Sequence, residues 1–258
     1  MSDYRWKTAI TKVQPNKISV RGYPVDQMMG KVSFAQAIYL LLKGKMPSRN
    51  VGKMMDAILV SSIDHGASPP SVLAARTVAS TGSELNSSVA AGVLAISRYH
   101  GGAIEEGMKL FIKIAQRMEE RNITKEEASR QILQEMKKKG KRASGFGHRL
   151  HKSDPRKDKL FSMAEELKIA GKYVRIVLCV EKELEKMVGR SLPINVDGAI
   201  AALLCDLEFP PQIGNAFFVM ARVPGLVAHV HEEKTRMKPM RKIHPQDFEY
   251  DGPEEKNK

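Results

Sequence analysis

The chain has 258 residues, 42% hydrophobic and 28% charged, the balance of an ordinary globular protein able to bury a good core in one large domain or two unequal ones. Its two cysteines, Cys179 and Cys205, lack Cys-x-x-Cys spacing and sit among apolar residues, which excludes a disulfide framework and makes both small buried hydrophobes. A net charge of +13 invites a nucleic-acid reading, yet aromatics are only 6% and the basic residues are dispersed, so the charge serves equally to attract a small polyanionic substrate.

No apolar run approaches bilayer-spanning length, and the start, Met-Ser-Asp-Tyr-Arg-Trp-Lys, has no signal-peptide core. A cytoplasmic protein with no membrane partner is expected. Lys17 to Val20 is β-like and is followed by a turn at Gly22-Tyr23-Pro24. Almost everything after that reads as helix. From an N-cap at Ser33, residues Phe34, Ala37, Ile38, Leu41 and Leu42 form one apolar stripe that stops at Gly44 and Pro47. Val51, Met54, Met55, Ile58 and Leu59 share a face of the next helix, which ends near Asp64-His65-Gly66, and Pro69-Pro70 starts another. The small-residue run Ser87 to Ser97 predicts a helix that is either central or packed against another subunit, and it leads into Tyr99-His100-Gly101-Gly102-Ala103.

An amphipathic helix is predicted over 105–120, and Thr124 to Glu127 has capping-box spacing for the next. Helices from Pro155 to Lys168 and from Tyr173 to Val188 come before the short helix introduced by Asn195-Val196-Asp197-Gly198. Pro210-Pro211 starts a long one with Pro224 inside it, where a kink is expected. Strands are so scarce that the fold is all-α. No internal repeat or low-complexity segment is visible.

The stretch Gly145-Phe146-Gly147-His148-Arg149-Leu150, closed by Ser153-Asp154-Pro155-Arg156, combines backbone freedom, a titratable group and a helix start. The basic run Lys137 to Arg142 precedes it, and a solvated loop with an incidental histidine fits the same letters. His65, His100 and His148 each stand beside glycine at a helix boundary. His229 and His231 are two apart and do not share a helix face, so no metal site is expected. Gly145-x-Gly147 lacks the third glycine and preceding strand of a dinucleotide fingerprint, and there is no Walker sequence. Asp197, among apolar residues, is either a helix N-cap or a base whose pKa is raised by desolvation. Arg156 and Arg222 are candidate carboxylate clamps, and Arg222, inside the apolar run from Ala216 to Val230, needs a partner.

Taken together, Arg21-Gly22-Tyr23, Ser33-Phe34, Leu40 to Pro47, Asp64-His65-Gly66, Ala79-Ser80-Thr81, His100 to Ala103, Gly145 to His148, Asp154-Pro155-Arg156 and Asn195-Val196-Asp197 resemble the citrate synthase superfamily. Each motif is weak alone, but they follow in the family's order over most of the chain. The resemblance implies a citrate synthase-like all-α fold, with a large domain from 1–100 and 203–258, a small domain over 101–202, and the active site in the cleft between them. It implies that His100 stabilises a thioester enol, Asp197 exchanges a proton with the acetyl methyl carbon, and His148 handles the oxaloacetate carbonyl or citryl hydroxyl. His65, Arg156 and Arg222 would hold carboxylates. Arg241, with Arg236 as the other match, would reach the site of a partner subunit, making a homodimer the minimum assembly.

Asp64-His65-Gly66, where synthases usually have Glu after the His, and the tail from His244 to Tyr250 are similar to the citryl-CoA lyase module of ATP-citrate lyase. His100 departs from the animal enzymes of that type, which have Phe there. The implied activity is cleavage of citryl-CoA to acetyl-CoA and oxaloacetate. Its alternatives are a short citrate or methylcitrate synthase, or a catalytically silent member of the fold acting as a regulatory subunit. Coenzyme A would be a substrate and not a bound cofactor, contacted by Lys141, Arg142, Gly145, Phe146, Gly147 and Lys152, although a solvated basic face fits these cations too. With no ATP motif, a separate citryl-CoA synthetase would supply the substrate.

Overall fold

The computed structural model describes residues 5–147, 154–242, 245–247 and 249–253. Three short strands, β1 (Thr11–Gln14), β2 (Lys17–Val20) and β3 (Tyr23–Pro24), are followed by helices α1 (Val25–Met28), α2 (Phe34–Lys43), α3 (Arg49–Ser61), α4 (Pro70–Ser80), α5 (Leu85–Leu94), α6 (Ala103–Arg121), α7 (Lys125–Lys138), α8 (Pro155–Glu166), α9 (Lys172–Val188), α10 (Val196–Asp206) and α11 (Gly214–Arg236). The chain forms two compact units, residues 1–64 with 97–222 and residues 65–96 with 223–258. All of the small domain expected over 101–202 falls within the first unit, together with α2 and α3.

The first unit opens on an antiparallel sheet of order β1-β2-β3, with Thr11 opposite Val20 and Ser19 opposite Pro24. Local chemistry sets its helix ends. Ser33 accepts from the Gln36 amide while the Gln36 side chain accepts from the Ser33 amide, and Gly44, at φ 75°, ends α2. Thr124 accepts from the Glu127 amide to start α7.

The core of this unit is α10. From Gly198 to Cys205 every residue is buried, and α6, α8 and α9 pack around it. Ile200, Leu203 and Leu204 are at most 1% exposed, which at roughly 1.5–3 kcal/mol per buried aliphatic side chain makes this helix a main source of stability. Gly107 lets α6 come close, since a Cβ there would stand 3.0 Å from that of Ala201. At the far end of α10, the Asp206 carboxylate accepts from the amides of Gly171, Tyr173 and Val174 at 2.9, 3.0 and 3.1 Å and so holds the start of α9. Cys179 and Cys205 are buried free thiols, and burial pushes Cys205 up to about 12.

The second unit pairs α4 with α5 and adds the later part of α11, around Val72, Ala75, Ala79, Leu226 and Val230. Gly92 admits close packing, because its Cβ would lie 2.9 Å from the Ser71 carbonyl oxygen. Beyond α11 the chain is tied back to α4 by the Met240 amide, which donates to the Ser80 carbonyl at 2.7 Å.

One of two alternatives is excluded, and one expectation needs correction. The small-residue helix α5 is not central: only Ser88 and Gly92 are buried in it, and Leu94 is 83% exposed. Its composition matches that of α10, and only tertiary placement separates them. The helical run Pro211–Arg236 is also long and apolar enough to cross a membrane by length and composition. Phe217, Ala221, Leu226 and Val230 along it are buried and Arg222 is 2% exposed, which marks a core helix of the folded protein. This run starts with a 3-10 turn, Pro211–Ile213, and α11 continues through Pro224.

Candidate active site

The start of α10 and the strand-like segment before it organise the site. Asn195 is the N-cap: its Oδ1 accepts from the Gly198 amide at 3.1 Å. Asp197 therefore does not cap the helix, which leaves the other reading, a carboxyl in an apolar setting. Its Oδ1 is buried and has no hydrogen-bond partner among the described residues. Loss of hydration pushes this carboxyl above the usual carboxylate range, with the Arg156 and Arg222 charges acting downward and the Asp154 charge adding to the rise.

The Gly145-Phe146-Gly147 stretch lies against this helix start. The Gly147 amide donates to the Pro193 carbonyl at 2.7 Å, the Asn195 amide to the Gly145 carbonyl at 3.0 Å, and the Asn195 side-chain amide to the Gly147 carbonyl at 3.0 Å. The two backbones touch at glycine on both sides: a Cβ on Gly198 would fall 2.3 Å from the Gly145 oxygen, and one on Gly145 2.6 Å from the Gly198 Cα. Gly145 also holds φ 90°. Loop and helix start therefore form one piece with Asp197 beside the junction.

Two arginines supply the positive charge. Arg222 has its Nε on the Ser62 carbonyl at 3.2 Å and its guanidinium 4.7 Å from the Phe218 ring centroid. Its NH1 is buried without a partner among the described residues. Burial lowers its pKa, opposed by the Asp64 and Asp197 charges and assisted by that of Arg156. The His100 ring meets Phe218 edge-on at 5.5 Å, at the point where the Ser97 and His100 amides and carbonyls pair. Gly102 must be glycine there, since a Cβ would lie 2.5 Å from the Arg98 oxygen. Arg156, at the start of α8, is held by Asp154 and donates to the Ser61 carbonyl at 3.4 Å. A buried carboxyl oxygen and a buried guanidinium nitrogen, each without a partner among the described residues, are groups that a polar ligand would satisfy.

Asp197, Arg156, Arg222 and His100 thus all lie in the first unit, the first three in electrostatic reach of one another. His148 and Lys152 lie outside the described residues. His65 and Arg241 belong to the second unit. There Arg241 donates through Nε to Glu233 at 2.9 Å and through its terminal nitrogen to the same carboxylate, and its backbone amide donates to the Ser80 hydroxyl at 3.2 Å. Arg236 pairs with Glu232. Lys141 and Arg142 are exposed and, with Lys137, Arg190 and Phe146, line a cavity of about 460 Å³. No group of three or more His, Cys, Asp or Glu placed to hold a metal occurs among the described residues.

Asp154, Asn195, Phe218 and Ser62 were not legible as site residues. Asn195 followed by Gly198 three residues on was a usable cap signal, whereas Phe218 and the Ser62 carbonyl have none.

Fold and site together define a helical protein with a carboxyl and two guanidinium groups gathered at the head of its core helix, one carboxyl oxygen and one guanidinium nitrogen having no partner among the described residues. Residues 47–246 match the model of the citrate synthase C-terminal domain, and the chain belongs to the citrate synthase family. Among solved structures it is similar to a citryl-CoA lyase from Hydrogenobacter thermophilus, with a TM-score of 0.89 and 41% identity over 98% of this chain and 96% of that one. It is also similar to the citrate synthase of Thermoplasma acidophilum, solved as a ternary complex with carboxymethyl coenzyme A and oxaloacetate, with a TM-score of 0.69, 25% identity, and 88% and 59% of the two chains covered. The ATP-citrate synthase beta chain protein 2 of Arabidopsis thaliana is 29% identical over 247 residues, a match that takes in 88% of this chain but 37% of that relative.

Proposed function

We propose that this chain cleaves citryl-CoA to acetyl-CoA and oxaloacetate. The observation that carries the reading is the Asp197 carboxyl, raised by desolvation and unsatisfied at Oδ1, between two arginines. Cleavage needs an acid that delivers a proton to carbon, and a carboxyl whose pKa is raised by desolvation is suited to that role. The likeness to the Hydrogenobacter lyase over nearly the whole of both chains supports this direction.

In this mechanism His148 takes the proton of the tertiary hydroxyl as the carbon–carbon bond breaks, and the hydroxyl carbon becomes the ketone of oxaloacetate. The bonding electrons pass into the thioester, whose oxygen is stabilised as the enol by His100. Asp197 then protonates the terminal carbon, giving the acetyl methyl group. Arg156 and Arg222 hold substrate carboxylates, and carboxylate binding is also the role proposed for His65 and, toward a partner subunit, for Arg241. The coenzyme A moiety lies along Gly145 to Gly147, with Lys141, Arg142 and Lys152 toward its phosphates. The cavity behind Phe146, with its basic rim, supports that direction for the nucleotide end.

The exposed apolar side chains Leu73, Leu85 and Leu94 on α4 and α5 support a homodimer. A separate synthetase would form citryl-CoA in the same compartment, the cytoplasm. Condensation of acetyl-CoA or a homologue with oxaloacetate is the second reading, favoured by the likeness to the Thermoplasma synthase. Incubating the purified chain with citryl-CoA, and separately with acetyl-CoA plus oxaloacetate, divides the two. Rapid cleavage without net citrate formation is expected. Citrate synthesis from the free substrates would establish the synthase, and no turnover of either would leave a non-catalytic member of the fold.

A further inference from the structure

Asp154 makes far more contacts than a helix cap requires. A cap needs one side-chain oxygen on one amide of the first turn, a task that serine or threonine performs as well. Asp154 is 1% exposed and uses both oxygens twice. Its Oδ1 accepts from the Arg156 amide and from Arg156 Nε, each at 3.0 Å. Its Oδ2 accepts from the Arg156 terminal nitrogen at 2.8 Å and, across to the core helix, from the Val196 amide at 3.1 Å. The two side-chain bonds form a carboxylate–guanidinium fork that fixes the plane as well as the position of Arg156. The fourth bond fixes the residue that immediately precedes Asp197.

We infer that Asp154 is a positioning residue that sets the Arg156 clamp and the Asp197 acid as one unit, so that neither moves without the other. The inference rests on the lyase reading for what the unit does, and on geometry alone for the coupling. With Nε and one proton of a terminal nitrogen committed to Asp154, Arg156 turns its other terminal nitrogen toward the Ser61 carbonyl, 3.4 Å away on α3. Arg156 is thereby held in place before any substrate carboxylate arrives, so its orientation is prepared in advance.

The charges around Asp197 follow the same wiring. Asp154 and Arg156 face it from α8 and Arg222 from α11, while Glu181 of α9 accepts from the Ile194 amide at 2.7 Å just ahead of the helix. On α6, Gly107 meets Ala201 of α10, an uncharged contact. Burial would push the Asp154 carboxyl up, but the bonds from the Arg156 side chain and amide, the Arg156 charge and the Val196 amide together hold it below the usual carboxylate range. Asp154 therefore stays anionic and keeps Arg156 partly neutralised. If its charge is removed, the freed guanidinium acts more strongly on Asp197.

Asp154→Asn is the test, since asparagine still caps. For cleavage Asp197 acts as an acid, so the rate falls as pH rises through its pKa. The variant should lower that pKa and move the alkaline limb down by about one pH unit. It should also cut kcat about 10–100-fold and raise KM for citryl-CoA, as expected for a clamp and an acid both displaced. A variant that loses only thermal stability, with its limb and kcat/KM unmoved, would reduce Asp154 to a cap and overturn the inference. Should Asp154→Asn fail to fold, Arg156→Gln leaves Asp154 charged and unneutralised, and the Asp197 titration should move up; an unmoved titration would overturn the inference equally. The titration can be read without substrate by ¹³C NMR of the carboxyl signal that Asp197→Asn abolishes. A wild-type protein inactive on citryl-CoA would then sink the lyase reading while the coupling still stands or falls on the two opposite shifts.

Discussion

Gly198→Ala is a single-methyl change that should be felt in both stability and catalysis. The added Cβ would stand 2.3 Å from the Gly145 oxygen and 3.0 Å from its carbonyl carbon, whereas ordinary contact begins at 3.4 Å. The loop and α10 must therefore part by about 1 Å, and neither neighbour is a flexible side chain that can swing away. The parting strains the Asn195–Gly145 bond at 3.0 Å and the Asn195 cap on Gly198 at 3.1 Å. Overpacking against backbone belongs at the upper end of the usual range, about 3 kcal/mol, so the thermal midpoint should fall by roughly 6–12 °C. Asp197 is the residue next to the change, and a displacement of about 1 Å at a reacting group costs on the order of 100-fold in rate. Calorimetry and citryl-CoA turnover read the two effects. Gly107→Ala is the comparison, because its tightest Cβ contact is the Ala201 side chain at 3.0 Å, the Ser144 carbonyl oxygen lies at an ordinary 3.8 Å, and the change gains about 1 kcal/mol of helix propensity. A Gly198→Ala protein within about 1 kcal/mol of wild type, or no less stable than Gly107→Ala, would refute the backbone-contact argument.

Two further outcomes follow from buried charge. The folded-state pKa of Asp197 is raised above its ordinary 3.8, mainly by desolvation. Its contribution to stability is therefore fully present below the unfolded-state value and is lost as pH rises through the folded one. Asp197→Asn should thus match wild type in urea near pH 3.5 and become progressively the more stable protein as pH rises above that; a constant difference across pH would contradict the raised pKa. In the second unit, Glu233 is 2% exposed and bonded to Arg76 at 2.6 Å as well as to Arg241. Glu233→Gln should cost about 3 kcal/mol in denaturant unfolding, because it leaves the buried Arg76 guanidinium with only Glu232, 4.0 Å away, as counter-charge, and a loss under about 1 kcal/mol would show the pair to be dispensable.

Much of the local structure was legible because its causes are local. Ser33, Thr124 and the Asp154-Pro155 pair announced helix starts that the structure has, and Gly44 announced an end. The placement of helices was not, and α5 and α10 show why: both are runs of small and aliphatic residues, so periodicity cannot tell a core helix from one left half-exposed. The site divides in the same way. Asp197 and Arg222 stood out as ionisable groups in apolar surroundings, a contrast written in the chain itself. Their company was not written there: the Ser62 carbonyl that receives Arg222, the Phe218 ring between Arg222 and His100, and the meeting of Gly145 with Gly198 arise only when segments 50 to 160 residues apart are brought together. Asp154 was visible as a cap, but its reach to Val196 depends on the packing of α8 against α10.

The most direct test is single-turnover cleavage of citryl-CoA by wild-type protein and by Asp197→Asn, with citryl-CoA affinity measured alongside. Acetyl-CoA and oxaloacetate are expected from the wild type, and a rate on the order of 100- to 10,000-fold lower from the variant at nearly unchanged affinity. Cleavage by Asp197→Asn at close to the wild-type rate would contradict that expectation.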